Sequence, residues 1–308
     1  MHTLSFRAMG CSMFAALDSN DPQAEQVLAY VPIWFEEWEQ QLSRFRSDSD
    51  LNKLNASGSA TEMPQALWDV VNVALRAAHE SQGLVQPTVL NALVAAGYDK
   101  TFDELNPQPI SIAAPNANPE SWRAIQLNPS MRSMSLPQGV RLDLGGVAKG
   151  WAAEQAANRL AAHGAALIDA GGDIAVNGPM ADGSAWPVGI ANPLVANELL
   201  DTLLLIQGAV ATSGRDYRRW LQGDSEQHHI IDPRTGQPAH TDVLAATVVA
   251  PDGPTAEVAA KSALILGSRQ GMEWLDTRPY LAGLLVLADG QVLHSRRIST
   301  YLESYIFS

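Results

Sequence analysis

Cysteine is almost missing from this chain: Cys11 stands alone among 308 residues, which excludes an internal disulfide framework. Positive charge is short as well. Lys and Arg number 20 against 33 Asp and Glu, a formal net charge of −13. That balance argues against nonspecific nucleic-acid binding and against anionic membrane surfaces, yet a local site can oppose the global field and hold an anionic cofactor. No run approaches the roughly 18 apolar residues of a membrane span. A secretory leader is not visible: only ten residues precede Cys11, Arg7 interrupts them, and Ala8-Met9-Gly10-Cys11 does not read as a lipobox. As given, the chain reads as cytoplasmic. It has no fixed-period repeat, low-complexity tract or charge block. At 308 residues it is long enough for a large core, as one domain over 1–308 or as two intimate lobes.

What is present is a glycine-punctuated stretch, Asp143-Leu144-Gly145-Gly146-Val147-Ala148-Lys149-Gly150. The apolar residues 139–144 lead into it as a strand would. An alanine-rich segment, 151–163, follows as a helix, and Gly164 stops it as a left-handed cap would. A second apolar run, 165–168, ends in Asp169-Ala170-Gly171-Gly172-Asp173. Paired glycines let backbone approach a ligand closely. The N–H groups of the helix start attract an anion, and Lys149 adds a full positive charge. A phosphate-bearing ligand suits this arrangement, although the stretch is neither the dinucleotide fingerprint nor a P-loop. An ordinary tight turn beside a solvated lysine gives the same pattern.

Along the chain, residues 4–17 read as one strand. Asp21-Pro22 opens a helix carrying Val27, Leu28, Val31, Trp34, Phe35, Trp38 and Leu42 at helical spacing, with a kink expected at Pro32. Its three aromatics suit a core. Residues 64–81 are amphipathic and helical. The segment 106–118, rich in Pro, Asn and Ala, reads as a surface loop and lobe boundary. Residues 186–191, 201–207, 210–214 and 245–250 read as strands. Residues 256–266 read as a helix capped by Gly267, and 283–287 with 291–294 as a hairpin around Asp289-Gly290. Many strands, with few βαβ alternations, indicate a mixed α+β fold.

Taken whole, 143–174 resembles the signature of the ApbE family, the FAD:protein FMN transferases: D-L-G-G-I-A-K-G, a helix, then D-x-G-G-D-I. A second block is similar in the same order. It comprises Ala211-Thr212-Ser213-Gly214, Asp216-Tyr217 and His229-Ile230-Ile231-Asp232-Pro233-Arg234-Thr235-Gly236. Shorter similarities lie at Met9-Gly10, at Ser43-Arg44-Phe45 with 51–55, at Pro87-Thr88 and over 256–267. The resemblance implies largely antiparallel sheets with packed helices, in a T-fold-like architecture. It also implies a reaction: FAD is split at its pyrophosphate, FMN is attached through phosphate to a Ser or Thr of an acceptor flavoprotein, and AMP leaves. Phosphoryl transfer of this kind needs charge neutralisation, in-line positioning and an acceptor for the hydroxyl proton.

Roles follow from the same resemblance. His229 is the general base, a task suited to a side chain titrating near neutral pH. Asp143 contacts FAD through ribityl, ribose or adenine, and Lys149 supplies a basic contact. Phe45 stacks on the flavin; Met9 and Ile230 also touch FAD. Leu84-Val85-Gln86 stands where the family's FAD-contacting aspartate segment lies, with Gln86 in place of Asp. Magnesium is implied at the Gly146 carbonyl and at an Asp and a Thr on one helix face. Here those two are Glu257 and Lys261. Glutamate keeps an oxygen ligand, but an ammonium has three donors and no lone pair for a hard cation. A lysine there can stand in for the cation beside the pyrophosphate.

From the residues alone, blander readings stay open. Asp143 can be a turn-capping acid, His229 a core histidine with His228 exposed beside it, Ser43-Arg44-Phe45 a surface loop, and Glu257–Lys261 a solvated helix pair. Asp232 either orients His229 or shapes the turn. Two functional alternatives accompany the transferase: an FAD-binding protein on the same scaffold without transfer, which Gln86 and Lys261 favour, and an FAD pyrophosphatase giving FMN and AMP. A flavin-free acidic hydrolase is the most distant.

Overall fold

The computed structural model describes residues 1–105, 118–223 and 225–306. The expected loop at 106–118 lies, apart from Asn118, outside them. The chain divides into two compact units, each assembled from separated stretches. Unit 1 takes Met1–Phe35, Lys149–Asp216 and Thr241–Ser308; unit 2 takes Glu36–Ala148 and Tyr217–His240.

Unit 1 is organised on an eight-stranded sheet among the described residues. Its strands are β1 (His2–Ala8), β2 (Cys11–Asp18), β3 (Ala165–Ala170), β4 (Asp173–Val176), β5 (Gly208–Gly214), β6 (Val243–Ala250), β7 (Ala282–Leu287) and β8 (Val292–His294). They lie side by side in chain order, and every pairing is antiparallel. The α+β, antiparallel expectation therefore holds. Five helices matter below: α1 (Val31–Leu42), α2 (Asp50–Ser57), α3 (Gln65–Glu80), α4 (Ala148–Leu160) and α5 (Gly253–Asp276). Helix α5 packs along β5, β6 and β7. An antiparallel hairpin, Trp186–Ala191 with Leu199–Leu205, contributes Trp186, Val188, Leu203 and Leu205 to an apolar cluster with Val210, Val249, Leu284 and Val286. Strand alternation turns the intervening residues Ala211, Val248 and Leu285, also buried, to the opposite face. Central strands covered on both sides read as continuous apolar runs, and β7 is buried at every position.

Several expectations are corrected locally. Residues 4–17 form a hairpin, not one strand: Met9 and Gly10 take φ of +48° and +69°, the left-handed pair of a tight hairpin turn. Pro32 does not kink a long helix. A short helix, Ala24–Leu28, ends first, and α1 restarts at Val31 with Pro32 in its first turn, where no intrahelical N–H bond is lost. Of its aromatics, Phe35 and Trp38 are core, while Trp34 is half-buried under Arg159. Gly164 is not a left-handed cap. Its φ is +154°, and a Cβ there would stand 2.5 Å from the Asp18 carbonyl oxygen. Residues 139–144 join no strand, because their backbone bonds elsewhere: Leu142 exchanges hydrogen bonds with the Asn55 amide and Asp143 N–H donates to Pro87. Helix α5 starts earlier than expected, with Asp252 accepting from Thr255 N–H at 2.8 Å, and passes beyond a break at Gly267.

Unit 2 carries α2, α3 and short antiparallel pairs, including Arg219–Gln222 with Ser225–His228 and Ile231–Asp232 with Gln237–Pro238. Among the described residues no helix is long and apolar enough to cross a membrane.

Candidate functional site

In unit 2 the Ser43-Arg44-Phe45 segment is not a free loop. Ser49, the N-cap of α2, donates its hydroxyl to the Ser43 carbonyl at 2.6 Å, and Asn52 donates its amide to the carbonyls of Arg44 and Arg46, each at 2.8 Å. Held this way, Arg44 is the hub. Its Nε lies 2.7 Å from Asp143 Oδ2, and an Nη donates to the Tyr98 carbonyl at 2.9 Å. Its guanidinium lies 4.1 Å from the Phe45 ring centre and 4.5 Å from that of Tyr98. Tyr98 also meets Trp220 at 5.3 Å and the His229 ring edge-on at 6.4 Å. Phe45 remains 40% exposed, so an aromatic face stays open over a fixed cation. Asp143 also accepts from Gly145 N–H at 2.9 Å; it is both the capping acid of the glycine turn and the counter-ion of Arg44.

The exposure expected of His228 is not found. His228 is buried: its Nδ1 accepts from Ile230 N–H at 3.3 Å, so its Nε2 donates to the Ala239 carbonyl at 3.0 Å. His229 is half-buried with its ring against Tyr98. The strand alternation that should have exposed His228 fails because the strand ends there. Asp232 gives its carboxylate to Arg234 in a fork with contacts of 2.7 to 3.1 Å, so it shapes the turn. Ile230, Leu84 and Val85 have buried side chains. Gln86 is buried too. Its amide donates to the carbonyls of Pro119 at 2.9 Å and Gly83 at 3.4 Å, and its oxygen accepts from Thr88, which Ser121 supports in turn. A carboxylate could not donate to those carbonyls. This network borders a cavity of about 250 Å³ lined also by Asn91, Gln138 and Gly236.

In unit 1 the first turns of α4 and α5 meet backbone to backbone. A Cβ on Gly150 would lie 2.5 Å from the Gly253 oxygen, and one on Gly253 would lie 2.1 Å from the Gly150 oxygen, so glycine is required at both. That contact delivers Glu257 to the start of α4, where its Oε2 accepts from Gly150 N–H at 3.1 Å. An anion at this helix N-terminus was expected; one is the chain's own carboxylate. Lys149 hydrogen-bonds Asp173 and stands 3.9 Å from Glu257 Oε1, and Lys261 stands 3.8 Å from the same oxygen. Burial opposes the Lys149 charge, but Asp173 and Glu257 outweigh it and hold the ammonium above its ordinary range. Burial, then Asp173, pushes the Glu257 carboxyl up, against the pull of Lys149 and Lys261. Glu257 is buried and Lys261 half-buried, so the pair is not the solvated one of an exposed helix face. Met9 is half-buried on the β1–β2 turn, and Asp169 accepts from Gly172 N–H at 2.7 Å on the β3–β4 turn.

The family model of the ApbE family matches residues 9–285. The chain belongs to the ApbE family. An FAD:protein FMN transferase of Treponema pallidum is 31% identical over 310 residues, covering 91% of this chain and 83% of that relative. One of Salmonella typhimurium is 28% identical over 261 residues, covering 81% and 73%. The crystal structure of the ApbE protein of Thermotoga maritima shares the fold at a TM-score of 0.85, with 23% identity over 97% of this chain and 98% of that one.

Against the ApbE pattern, the structure gathers Phe45, Asp143 and His229 around Arg44 and Tyr98 in unit 2, and Lys149, Glu257 and Lys261 around Asp173 in unit 1. Arg44, Tyr98, Trp220 and Asp173 received no role from the sequence. Arg44 beside Phe45 was the one available signal, a charge next to an aromatic at a helix end. The magnesium that the family implies does not fit the residues present. Lys261 offers no lone pair, Glu257 Oε2 is bonded to Gly150, and Glu257 Oε1 already faces two ammonium groups. Among the described residues no cluster of three or more His, Cys, Asp or Glu is disposed to hold a metal. Gly146 lies half-buried on the turn before α4.

Proposed function

We propose that this chain is an FAD:protein FMN transferase. The match of residues 9–285 to the ApbE family carries the reading, and the similar proteins of Treponema pallidum and Salmonella typhimurium bear that name. The hydroxyl oxygen of an acceptor Ser or Thr attacks the phosphorus on the FMN side of FAD. A new P–O bond forms, the bond from that phosphorus to the bridging oxygen breaks, and AMP leaves with that oxygen. His229, half-buried with its ring against Tyr98, takes the hydroxyl proton on a ring nitrogen. Phe45 presents its open face to the flavin, and Arg44 fixes that ring from behind while Asp143 fixes Arg44. Met9 adds a contact to FAD from the β1–β2 turn. Lys149, held charged by Asp173 and Glu257 at the start of α4, is the basic contact to FAD.

The second reading, an FAD-binding protein without transfer, is favoured by one observation, the Lys261 ammonium at the expected metal position. One assay separates the readings. The protein is incubated with FAD and a Thr-bearing peptide from a flavoprotein, with and without Mg²⁺. Transfer gives a fluorescent adduct that survives denaturation, with AMP in equal amount. Free FMN and AMP without an adduct mean pyrophosphatase action, and retained FAD without AMP means binding alone.

A further inference from the structure

The buried end of unit 1 holds a set of paired charges. Asp173 and Glu257 are 2% and 3% exposed, and two ammonium groups, Lys149 and Lys261, answer them. The four come from three elements, α4, β4 and α5, locked by the Gly150–Gly253 contact. Remove Lys261 and the set carries a net negative charge in a place that water scarcely reaches, which a divalent cation would correct. With Lys261 present these four side chains sum to zero, and a divalent ion arriving at Glu257 Oε1 would meet an oxygen that already has two ammonium groups within 4 Å.

We propose that the Lys261 ammonium takes the place of the family's divalent cation, so that this chain holds its dinucleotide without one. The inference rests on the flavin-transferase reading only for the identity of the ligand. The ion set itself is complete without FAD. A carboxylate with one oxygen bonded to a helix N–H and the other facing two ammoniums is spent as a metal ligand. Lys261 is only 16% exposed and its neighbours Val258, Ala260, Leu264 and Ile265 are buried, so its stem is fixed and its head is directed at Glu257. Asp169, near the end of β3, is the further acid in this region; burial pushes its carboxyl up, and it takes the Gly172 N–H.

Manganese, a paramagnetic probe for magnesium sites, decides the matter on the 308-residue chain. Free Mn²⁺ is followed by electron paramagnetic resonance as it is titrated into wild type, Glu257→Gln, Lys261→Thr and the double variant Lys261→Thr/Glu257→Gln, each with and without FAD. Wild type should leave the Mn²⁺ signal unchanged, and flavin fluorescence should report FAD binding that survives EDTA. Lys261→Thr should bind Mn²⁺ at least about tenfold more tightly than wild type, since a repelling charge is replaced by an oxygen donor. The double variant should lose that gain. Lys261→Ser serves the same purpose if Lys261→Thr does not fold. Binding of Mn²⁺ by wild type that disappears in Glu257→Gln overturns the inference and leaves the transferase reading intact. Failure of both wild type and Lys261→Thr to bind also overturns it, because the ammonium would then not be what excludes the ion. Failure of FAD to bind under any condition removes the transferase reading, while the Mn²⁺ titration still decides the role of Lys261.

Discussion

At the scale of single residues, neighbouring histidines separate function from packing. His228 uses both ring nitrogens inside unit 2, so His228→Ala leaves a buried N–H and a buried carbonyl without partners. We expect a loss of about 1–3 kcal/mol in urea unfolding, with FAD transfer per folded molecule little changed. His229→Ala should do the reverse, keeping stability and FAD affinity while transfer falls by a factor on the order of 10²–10⁴. An unfolded His229→Ala, or one with full activity, would return His229 to the core. Gln86 makes a similar point. Gln86→Glu keeps the shape but turns an amide donor into an acceptor facing the carbonyls of Pro119 and Gly83. The variant should lose about 1–3 kcal/mol by the same measurement, and its melting midpoint should recover at acidic pH as the new carboxyl protonates. Equal stability at neutral pH would show that the amide bonds carry no weight. The sequence offered Gln86 only as a departure from a family pattern; its bonding to Pro119 lies outside any local spacing.

At the scale of elements, the glycines were the most legible feature, because each answers a local geometric demand. Gly150 and Gly253 are far apart in sequence, however, and only the fold shows that they meet. Gly150→Ala would drive a Cβ to 2.5 Å from the Gly253 oxygen, so the crossing of α4 and α5 must open. Overpacking of this kind costs about 1–3 kcal/mol, and hydrogen exchange at Gly253 and Thr255 should quicken first. The break in α5 supplies a pH test. Asp242 accepts from Ser268 N–H at 2.9 Å and from its hydroxyl, where the helix restarts after Gly267. The Ser268 hydroxyl, then its N–H, holds the Asp242 carboxyl below its ordinary 3.8. A depressed folded value stabilises above 3.8, and that contribution is lost as pH falls through the folded value. Asp242→Ala should therefore melt below wild type at neutral pH, with the gap closing as pH drops below 3.8. A gap that stays constant would mean that Asp242 acts through packing alone. The misread elements share one physical cause. Met9 at positive φ hid a hairpin turn, and residues 139–144 look like a strand by composition yet give their hydrogen bonds to Asn55 and Pro87. Periodicity reports burial; it does not report which backbone group answers which.

At the scale of the whole molecule, the net charge of −13 meets an anionic ligand without a compensating local field. The ion set of unit 1 pairs two carboxylates with two ammoniums, and Arg44 in unit 2 is matched by Asp143. These three cations are thus matched by carboxylates, and what remains at long range is repulsion between an acidic protein and a doubly charged pyrophosphate. Salt screens that repulsion: the Debye length shrinks from about 30 Å at 0.01 M to about 8 Å at 0.15 M. Most phosphate-binding sites lose affinity as salt rises, because local cations steer the ligand. Here the association rate of FAD, followed by stopped-flow flavin fluorescence, should rise between those two salt concentrations. Lys261→Thr without added metal should steepen the rise, because it leaves the buried carboxylates in excess. A rate that falls with salt in wild type would mean that an uncompensated positive field reaches the ligand, and the neutral bookkeeping of Lys149, Asp173, Glu257 and Lys261 would then be wrong.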